Sequence, residues 1–226
     1  MHPTAATSGL PAAALFDWDG TIVDSLPQIY RANKIVLAEL GIRIDRRWFE
    51  EQHSPDWRRS YRELGIPESR WEGLGARWEE EMRRGRPRAI PWARGALRRL
   101  RRRGVRLGLV TASTRSVVLP SLDRLNLAGL FGAMRFADDV ANGKPHPEAL
   151  LAALDELEVD AADAVYVGDT LTDLEMARAA GSPFVAVGAT TSRRLFLDAG
   201  AGRVWPGIGA WADELLGSEP AAGRQG

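Results

Sequence analysis

The sequence contains no cysteine. That excludes disulfides, thiolate nucleophiles and Cys-ligated zinc, and it fits a reducing compartment. Lysine is nearly missing too. Among 30 basic residues only Lys34 and Lys144 are lysines. A GC-rich genome would account for arginine used almost everywhere, yet the two lysines become worth locating. Net charge is also lacking, with 30 basic residues set against 30 acidic ones, so the global pull on polyanions that marks nucleic-acid binders is missing. No run reaches the roughly 18 apolar residues of a membrane span. The opening MHPTAATSGLPAA has neither the basic start nor the apolar stretch of a signal peptide. The expectation is a cytoplasmic protein without nucleic-acid or membrane partners, monomeric or homodimeric. The closing GSEPAAGRQG is small and polar and is expected to fray.

What is present suits a globular core. The 226 residues are 45% apolar and 27% charged, enough for one large domain or a core with a smaller insert. Short apolar runs bounded by turn residues read as strands covered on both faces: 13–19, 105–113, 133–139, 164–169, 183–188 and a short 203–206. Helical patterns lie between them at 93–104, 115–127, 147–159, 171–181 and 191–200, several ending in glycine. This alternation predicts an α/β fold, a doubly wound parallel sheet. Residues 25–92 break the pattern. They carry no clear strand, are rich in Arg, Glu and Trp, and read as an all-helical insert with 85–91 as its return linker. The expected domains are therefore a discontinuous core, 1–24 with 93–226, and a helical segment, 25–92.

Ligands of such sheets bind beyond the carboxyl ends of the strands. The first strand ends in Asp17, Asp19, Gly20 and Thr21, and the second in Thr111, Ala112 and Ser113. The loop after the third carries Gly143, Lys144 and Pro145, and the fourth ends in Gly168 and Asp169, with Asp173 a turn further on. Carboxylates gathered this way repel one another unless a hard cation with oxygen ligands joins them, and Mg2+ typically takes one or two carboxylates plus water and phosphate. Asp17 is placed to attack phosphorus. Asp19, two residues on, can face the same side, protonate a leaving alkoxide and later deprotonate water, and lend its backbone carbonyl to the metal. Lys144 and Thr111 supply charge and a hydroxyl for the transferring oxygens.

DWDGTIVDS, LVTAS, GKPHPE and GDTLTD, in that order, resemble the four motifs of the haloacid dehalogenase superfamily. The resemblance covers roughly 13–24 and 93–210, and the helical segment is similar to the cap of the phosphoglycolate phosphatase-like branch. It implies a Rossmann-like core and a Mg2+-dependent phosphatase acting on a small phosphorylated metabolite, phosphoglycolate or a sugar phosphate. It further implies Asp17 as nucleophile and Asp19 as acid/base. Phosphate binding falls to Asp19, Gly20, Thr111, Ala112 and Lys144, and metal binding to Asp17, Asp19 and Asp169. Asp173 supports the site, directly or through water. An acid at position 19 separates the chain from dehalogenases and phosphonate-cleaving relatives. SLPQIY at 25–30 lacks the histidine that mutases of the family carry there. The rival readings are a phosphomutase or pyrophosphatase of the same superfamily, and a phospho-receiver or silent binding protein.

Other conspicuous residues have plainer explanations. Asp24 and Ser25 are expected to order the loop and start the first inserted helix. His53 reads as a surface or inner residue of the insert, and His146 as part of a local turn. Trp48, Trp57, Trp71 and Trp78 are expected to pack the insert's own core rather than line a pocket. Arg58, Arg59 and Arg62 are candidates for an anionic substrate group. The basic run from Arg98 to Arg103 is expected to be a solvated helix face.

Overall fold

In a computed structural model of the chain, the described residues are 9–52, 57–188 and 190–217, which leaves His53 outside them. Strand β1 (Ala13–Phe16) leads into a two-residue strand β2 (Val23–Asp24) and then helices α1 (Leu26–Ala38), α2 (Arg46–Gln52), α3 (Trp57–Glu63) and α4 (Trp71–Arg84). The chain returns through β3 (Arg88–Ala89) into α5 (Ala93–Arg102), β4 (Arg106–Val110), α6 (Arg115–Arg124), β5 (Ala133–Arg135) and α7 (Glu148–Glu156). It ends with β6 (Ala164–Gly168), α8 (Leu171–Ala180), β7 (Phe184–Val187), α9 (Arg193–Asp198), β8 (Val204–Trp205) and α10 (Ile208–Leu216).

Six strands form one parallel sheet in the order β5-β4-β1-β6-β7-β8. The chain winds outward from β1 to β5, crosses back to β6 on the other side of β1, and winds outward again. The order reverses beside β1, and in sheets of this kind ligands bind beyond the carboxyl ends of the strands at that point, here β1, β4 and β6. Every residue of β1 is buried, and its alternation serves both faces. Ala14 and Phe16 pack with α5, α6 and α10, while Ala13 and Leu15 pack with α7 and α8.

Helix α5 illustrates how the sequence sorts itself. Ala93, Ala96, Leu97 and Leu100 recur at helical spacing and are buried, whereas Arg98, Arg101, Arg102 and Arg103 are exposed. The basic run is thus a solvated face, and its last-turn arginines also oppose the negative end of the helix dipole.

Several elements differ from expectation, among them β1, which ends at Phe16 rather than Asp19. The strand anticipated over 133–139 stops at Arg135, because the Asp139 carboxylate accepts the Phe136 amide at 3.0 Å and turns the chain into a short 3-10 helix. The return linker, expected to be strand-free, contains β3, which pairs antiparallel with β2 so that Val23 faces Ala89 and Asp24 faces Arg88. Helix α10 was not anticipated, although Ile208, Trp211, Ala212 and Leu216 give it a buried stripe.

Between β2 and β3 the described residues are helical, with an apolar cluster of their own formed by Val36, Leu37, Ile44, Tyr61, Ile66 and Leu74. A second cluster, Ile29, Ala32, Phe49 and Met82, also receives Val117 from α6, so this segment packs against the sheet portion. Trp48, Trp71 and Trp78 pack on these clusters, as expected of core aromatics. Trp57 stays 39% exposed and meets Tyr61 and Trp71 edge-on. Arg58 lies over the Trp57 ring, Arg62 over Trp71, and Arg59 pairs with Glu63, so each has a partner within the segment.

Leu97 is fully buried between α5 and the sheet. Leu97→Ala is expected to cost about 2–5 kcal/mol, whereas Arg98→Ala on the opposite face stays within about 0.5 kcal/mol. Denaturant unfolding of the two variants checks this, and equal losses would refute the assigned faces.

Candidate active site

The β1 ladder runs one residue past the strand, because the Asp17 amide donates to the Val167 carbonyl at 2.9 Å. Trp18 is then buried, and its carbonyl accepts both the Ile22 and Val23 amides at 3.0 Å. This closes a tight turn in which Gly20 adopts φ +76°. Only glycine fits there. Besides the backbone strain, a Cβ at position 20 would collide with the Asp169 carboxylate. Thr21 on the same turn donates to Asp169 Oδ1 at 3.1 Å, and the Thr190 amide donates to Asp169 Oδ2 at 3.1 Å. The end of β6 is equally tight, since a Cβ on Gly168 would lie 2.6 Å from Asp173 Cγ.

Lys144 enters from the loop between β5 and α7. That loop is fixed by Glu148 in the first turn of α7, whose carboxylate accepts the Ala141 amide at 2.8 Å and the Asn142 amide at 3.0 Å. The Lys144 ammonium donates to Asp17 Oδ1 at 2.7 Å, to Asp173 Oδ1 at 2.8 Å and to the Tyr166 hydroxyl at 2.7 Å. Asp173 is held in turn by a capping box at the start of α8, its Oδ2 accepting the Thr170 amide at 3.1 Å and the Thr170 hydroxyl at 2.6 Å. His146 is confined to its turn, with Nδ1 accepting the Glu148 amide at 3.3 Å.

Asp19 stands apart from this group. Its Oδ2 accepts the Ser113 hydroxyl at 2.7 Å, and the Ser113 amide donates to Thr111 Oγ1 at 3.1 Å. Thr111 is buried and Ala112 exposed on the same loop at the end of β4. The turn therefore puts Asp17 with Lys144 and Asp173, and Asp19 with the loop of Thr111. Ser25 occupies the N-cap position of α1 without a side-chain capping bond. Asp24 lies in the β2–β3 pair.

Burial dominates the electrostatics. It raises the Asp17 pKa well above the ordinary aspartate range; Lys144 opposes this, and Asp173, Asp169 and Asp19 add to it. Burial and then Asp173 push Asp169 from 3.8 up to about 7. Burial also raises Asp19, against the pull of the Ser25 and Ser113 hydroxyls and of Lys144. Lys144 is drawn down by burial, but the carboxylates of Asp17 and Asp173 outweigh this, so it keeps its proton. Oxygens of Asp17, Asp169 and Asp173 lie within 4.8 Å of one another. Three buried carboxylates against one ammonium form an all-oxygen, charge-deficient cluster, and such a donor set fits a hard divalent cation.

Sequence reasoning singled out Asp17, Asp19, Thr111, Lys144, Asp169 and Asp173, and overlooked Tyr166, Glu148 and the bond from Ser113. Tyr166 had a signal: a lone phenol in the aliphatic strand AVYVG needs a partner for its hydroxyl when buried.

The family model for haloacid dehalogenase-like hydrolases matches residues 14–187. The chain belongs to this family. Over 192 residues, 80% of this chain and 83% of the relative, the hydrolase is 34% identical to the plasmid-encoded phosphoglycolate phosphatase of Cupriavidus necator. It is 31% identical over 232 residues to the phosphoglycolate phosphatase of Rhodospirillum rubrum, covering 96% of each chain. CbbY of Rhodobacter sphaeroides, solved in complex with phosphate, is similar with a TM-score of 0.73 and 25% identity, over 88% of this chain and 96% of that one. The hydrolase is accordingly a phosphoric monoester hydrolase. No helix among the described residues is long and apolar enough to cross a membrane.

Because folding raises Asp169 from 3.8 to about 7, the folded state holds a proton that the unfolded chain has released. Stability from this group is complete below about pH 4 and is lost as pH rises through about 7. In chelator, the thermal midpoint is expected to fall by roughly 2–4 °C between pH 6 and pH 8. A midpoint that rises over that interval would contradict the proposed protonation.

Proposed function

We propose that the hydrolase removes phosphate from a small phosphomonoester, phosphoglycolate foremost, through an aspartyl phosphate on Asp17 and with Mg2+ as cofactor. The observation that carries this reading is the pairing at the end of β1. Asp17 is held by Lys144 at 2.7 Å, while Asp19, two residues on, is held by Ser113 at 2.7 Å instead. Burial favours the neutral form of both carboxyl groups, but Asp17 is tied directly to a permanent cation that opposes this, while Asp19 is kept apart on the Ser113 hydroxyl.

The steps follow from these two environments. An Asp17 carboxylate oxygen attacks phosphorus as the ester P–O bond breaks. Asp19 gives its proton to the departing alkoxide, so the product leaves as an alcohol. Asp19, now a carboxylate, then takes a proton from water, and that water's oxygen attacks phosphorus. The bond to Asp17 breaks, inorganic phosphate leaves, and both carboxyl groups return to their starting states. The Lys144 charge and the Thr111 hydroxyl, with the main-chain amide of Ala112, hold the transferring oxygens, whereas the Gly20 amide, expected among them, donates to the Val23 carbonyl at 2.9 Å and closes the turn. Asp17 and Asp169, with the main-chain carbonyl of Asp19, would hold Mg2+, which when bound screens the phosphate charge and acts as a Lewis acid. Asp173 supports the cluster by holding Lys144 rather than by reacting.

Residues 25–92 would act as the cap that excludes water and selects the substrate. This is supported by the packing of Val117 into the helical segment, and by the Ser116 hydroxyl, at the start of α6, donating to Glu79 of α4 at 3.1 Å. Phosphoglycolate leads because both relatives named above carry that activity in their names.

Phosphate release from a panel of phosphorylated metabolites, with Mg2+ and with chelator, tests this reading. Asp17→Asn is expected to abolish release, and Asp19→Asn to slow it by about 10²–10⁴-fold. Near-normal turnover by Asp17→Asn would remove Asp17 as nucleophile. No release from any ester by the folded, Mg2+-binding protein would point to phosphoryl transfer between substrates or to a binding role.

A further inference from the structure

We propose that Tyr166 is a positioning residue for the reaction: its hydroxyl fixes the Lys144 ammonium between Asp17 and Asp173 and ties it to the main chain of β4 beside Thr111. The proposal rests on the roles of Asp17 and Lys144 given above.

An ammonium has three N–H donors, and here each has an acceptor: Asp17 at 2.7 Å, Asp173 at 2.8 Å and the Tyr166 hydroxyl at 2.7 Å. Two acceptors define only an axis, about which the end of a flexible four-carbon chain can pivot. A third, off that axis, turns the ammonium into a fixed point. The three come from different places in the fold: the end of β1, the first turn of α8 and the middle of β6.

Tyr166 is suited to this task. Its side chain is fully buried, and its ring stacks on Phe184 with centroids 6.5 Å apart. The hydroxyl has one proton to give. It donates to the Val110 carbonyl at 2.8 Å, a shorter contact than the 3.3 Å to Asp173 Oδ1. That leaves its lone pairs for Lys144. Val110 is the last residue of β4 and directly precedes Thr111. A single phenol therefore sets the lysine charge in register with the loop proposed to bind phosphate. An incoming dianion then meets a fixed point charge, whose value to catalysis depends on placement.

Tyr166→Phe keeps the ring and its stacking and removes only the hydroxyl. The chain has just two lysines, and Lys34 is exposed on α1. Nitrogen-15 NMR of the side-chain amines in Mg2+-loaded protein thus carries one signal of interest and one internal reference. In Tyr166→Phe the Lys144 ammonium protons are expected to exchange at least about tenfold faster, with Lys34 unchanged. With the best phosphomonoester, kcat is expected to fall about 10- to 100-fold while KM stays within about threefold.

An unchanged kcat overturns the proposal whatever the exchange rate. A fall in kcat with the Lys144 signal unchanged assigns Tyr166 a merely structural role and overturns it too. If Tyr166→Phe does not fold, the wild-type protein decides, since a nuclear Overhauser contact between the Tyr166 hydroxyl proton and the Lys144 ammonium is required and its absence refutes the contact. If the wild type hydrolyses no ester, the reading of Asp17 fails separately, while the exchange measurement still reports whether Tyr166 holds Lys144.

Discussion

Lys144 carries a charge where only 4% of its side chain meets solvent, and Asp17 and Asp173 accompany it at 9% and 1% exposure. Charges so placed persist only in company, and deleting one member of such a pair typically costs about 3–5 kcal/mol because its partner is left stranded. Much of the surrounding architecture serves to keep this group together. The strand order sets β1 beside both β4 and β6. Glycine at 20 and at 168 lets main chain come up against the carboxylates of Asp169 and Asp173. The ammonium offsets only part of the negative charge of Asp17, Asp169 and Asp173, so the cluster as folded draws protons and cations. A site built to receive a metal with a phosphate dianion has that imbalance.

Much of this was legible in the sequence because the functional residues sit at strand ends, where an apolar run stops at an acid and a glycine. Asp17 and Asp169 fall there, and the structure brings their side chains together with that of Lys144 from the loop between β5 and α7. The elements that escaped detection are too short or too ordinary to leave a pattern. Strands β2 and β3 have two residues each and owe their existence to pairing with one another. Helix α10 has a usable stripe but lies directly ahead of the polar closing stretch that reads as a tail. The bonds from Tyr166, Ser113 and Glu148 join residues 94 positions apart in one case and seven in another. No spacing rule finds such contacts, and only the geometry of the fold does.

The choice of cation acquires a physical meaning here. Arginines serve as clamps: Glu81, 5% exposed, accepts Arg77 at 2.6 Å and Arg84 at 2.5 Å, which ties together two turns of α4. Arg135 reaches Glu156, and Arg115 reaches Asp139 with two bonds of 2.8 Å. A planar fork suits those fixed pairings, whereas a compact ammonium suits a crowded position among several acceptors. At position 144, hemmed in by three acceptors, the geometry asks for lysine.

The antiparallel pair of Val23–Asp24 with Arg88–Ala89 has a consequence for how such a chain changes over time. It brings the two ends of the inserted segment to within one strand spacing, about 5 Å. The sheet therefore sees the segment as a loop of nearly zero span, whatever lies between. Lengthening, shortening or replacing the helices leaves β1 and α5 where they were, and with them Asp17. The helical segment can then be revised without disturbing the buried carboxylates at the end of β1, which is a form of modularity written into four residues of backbone.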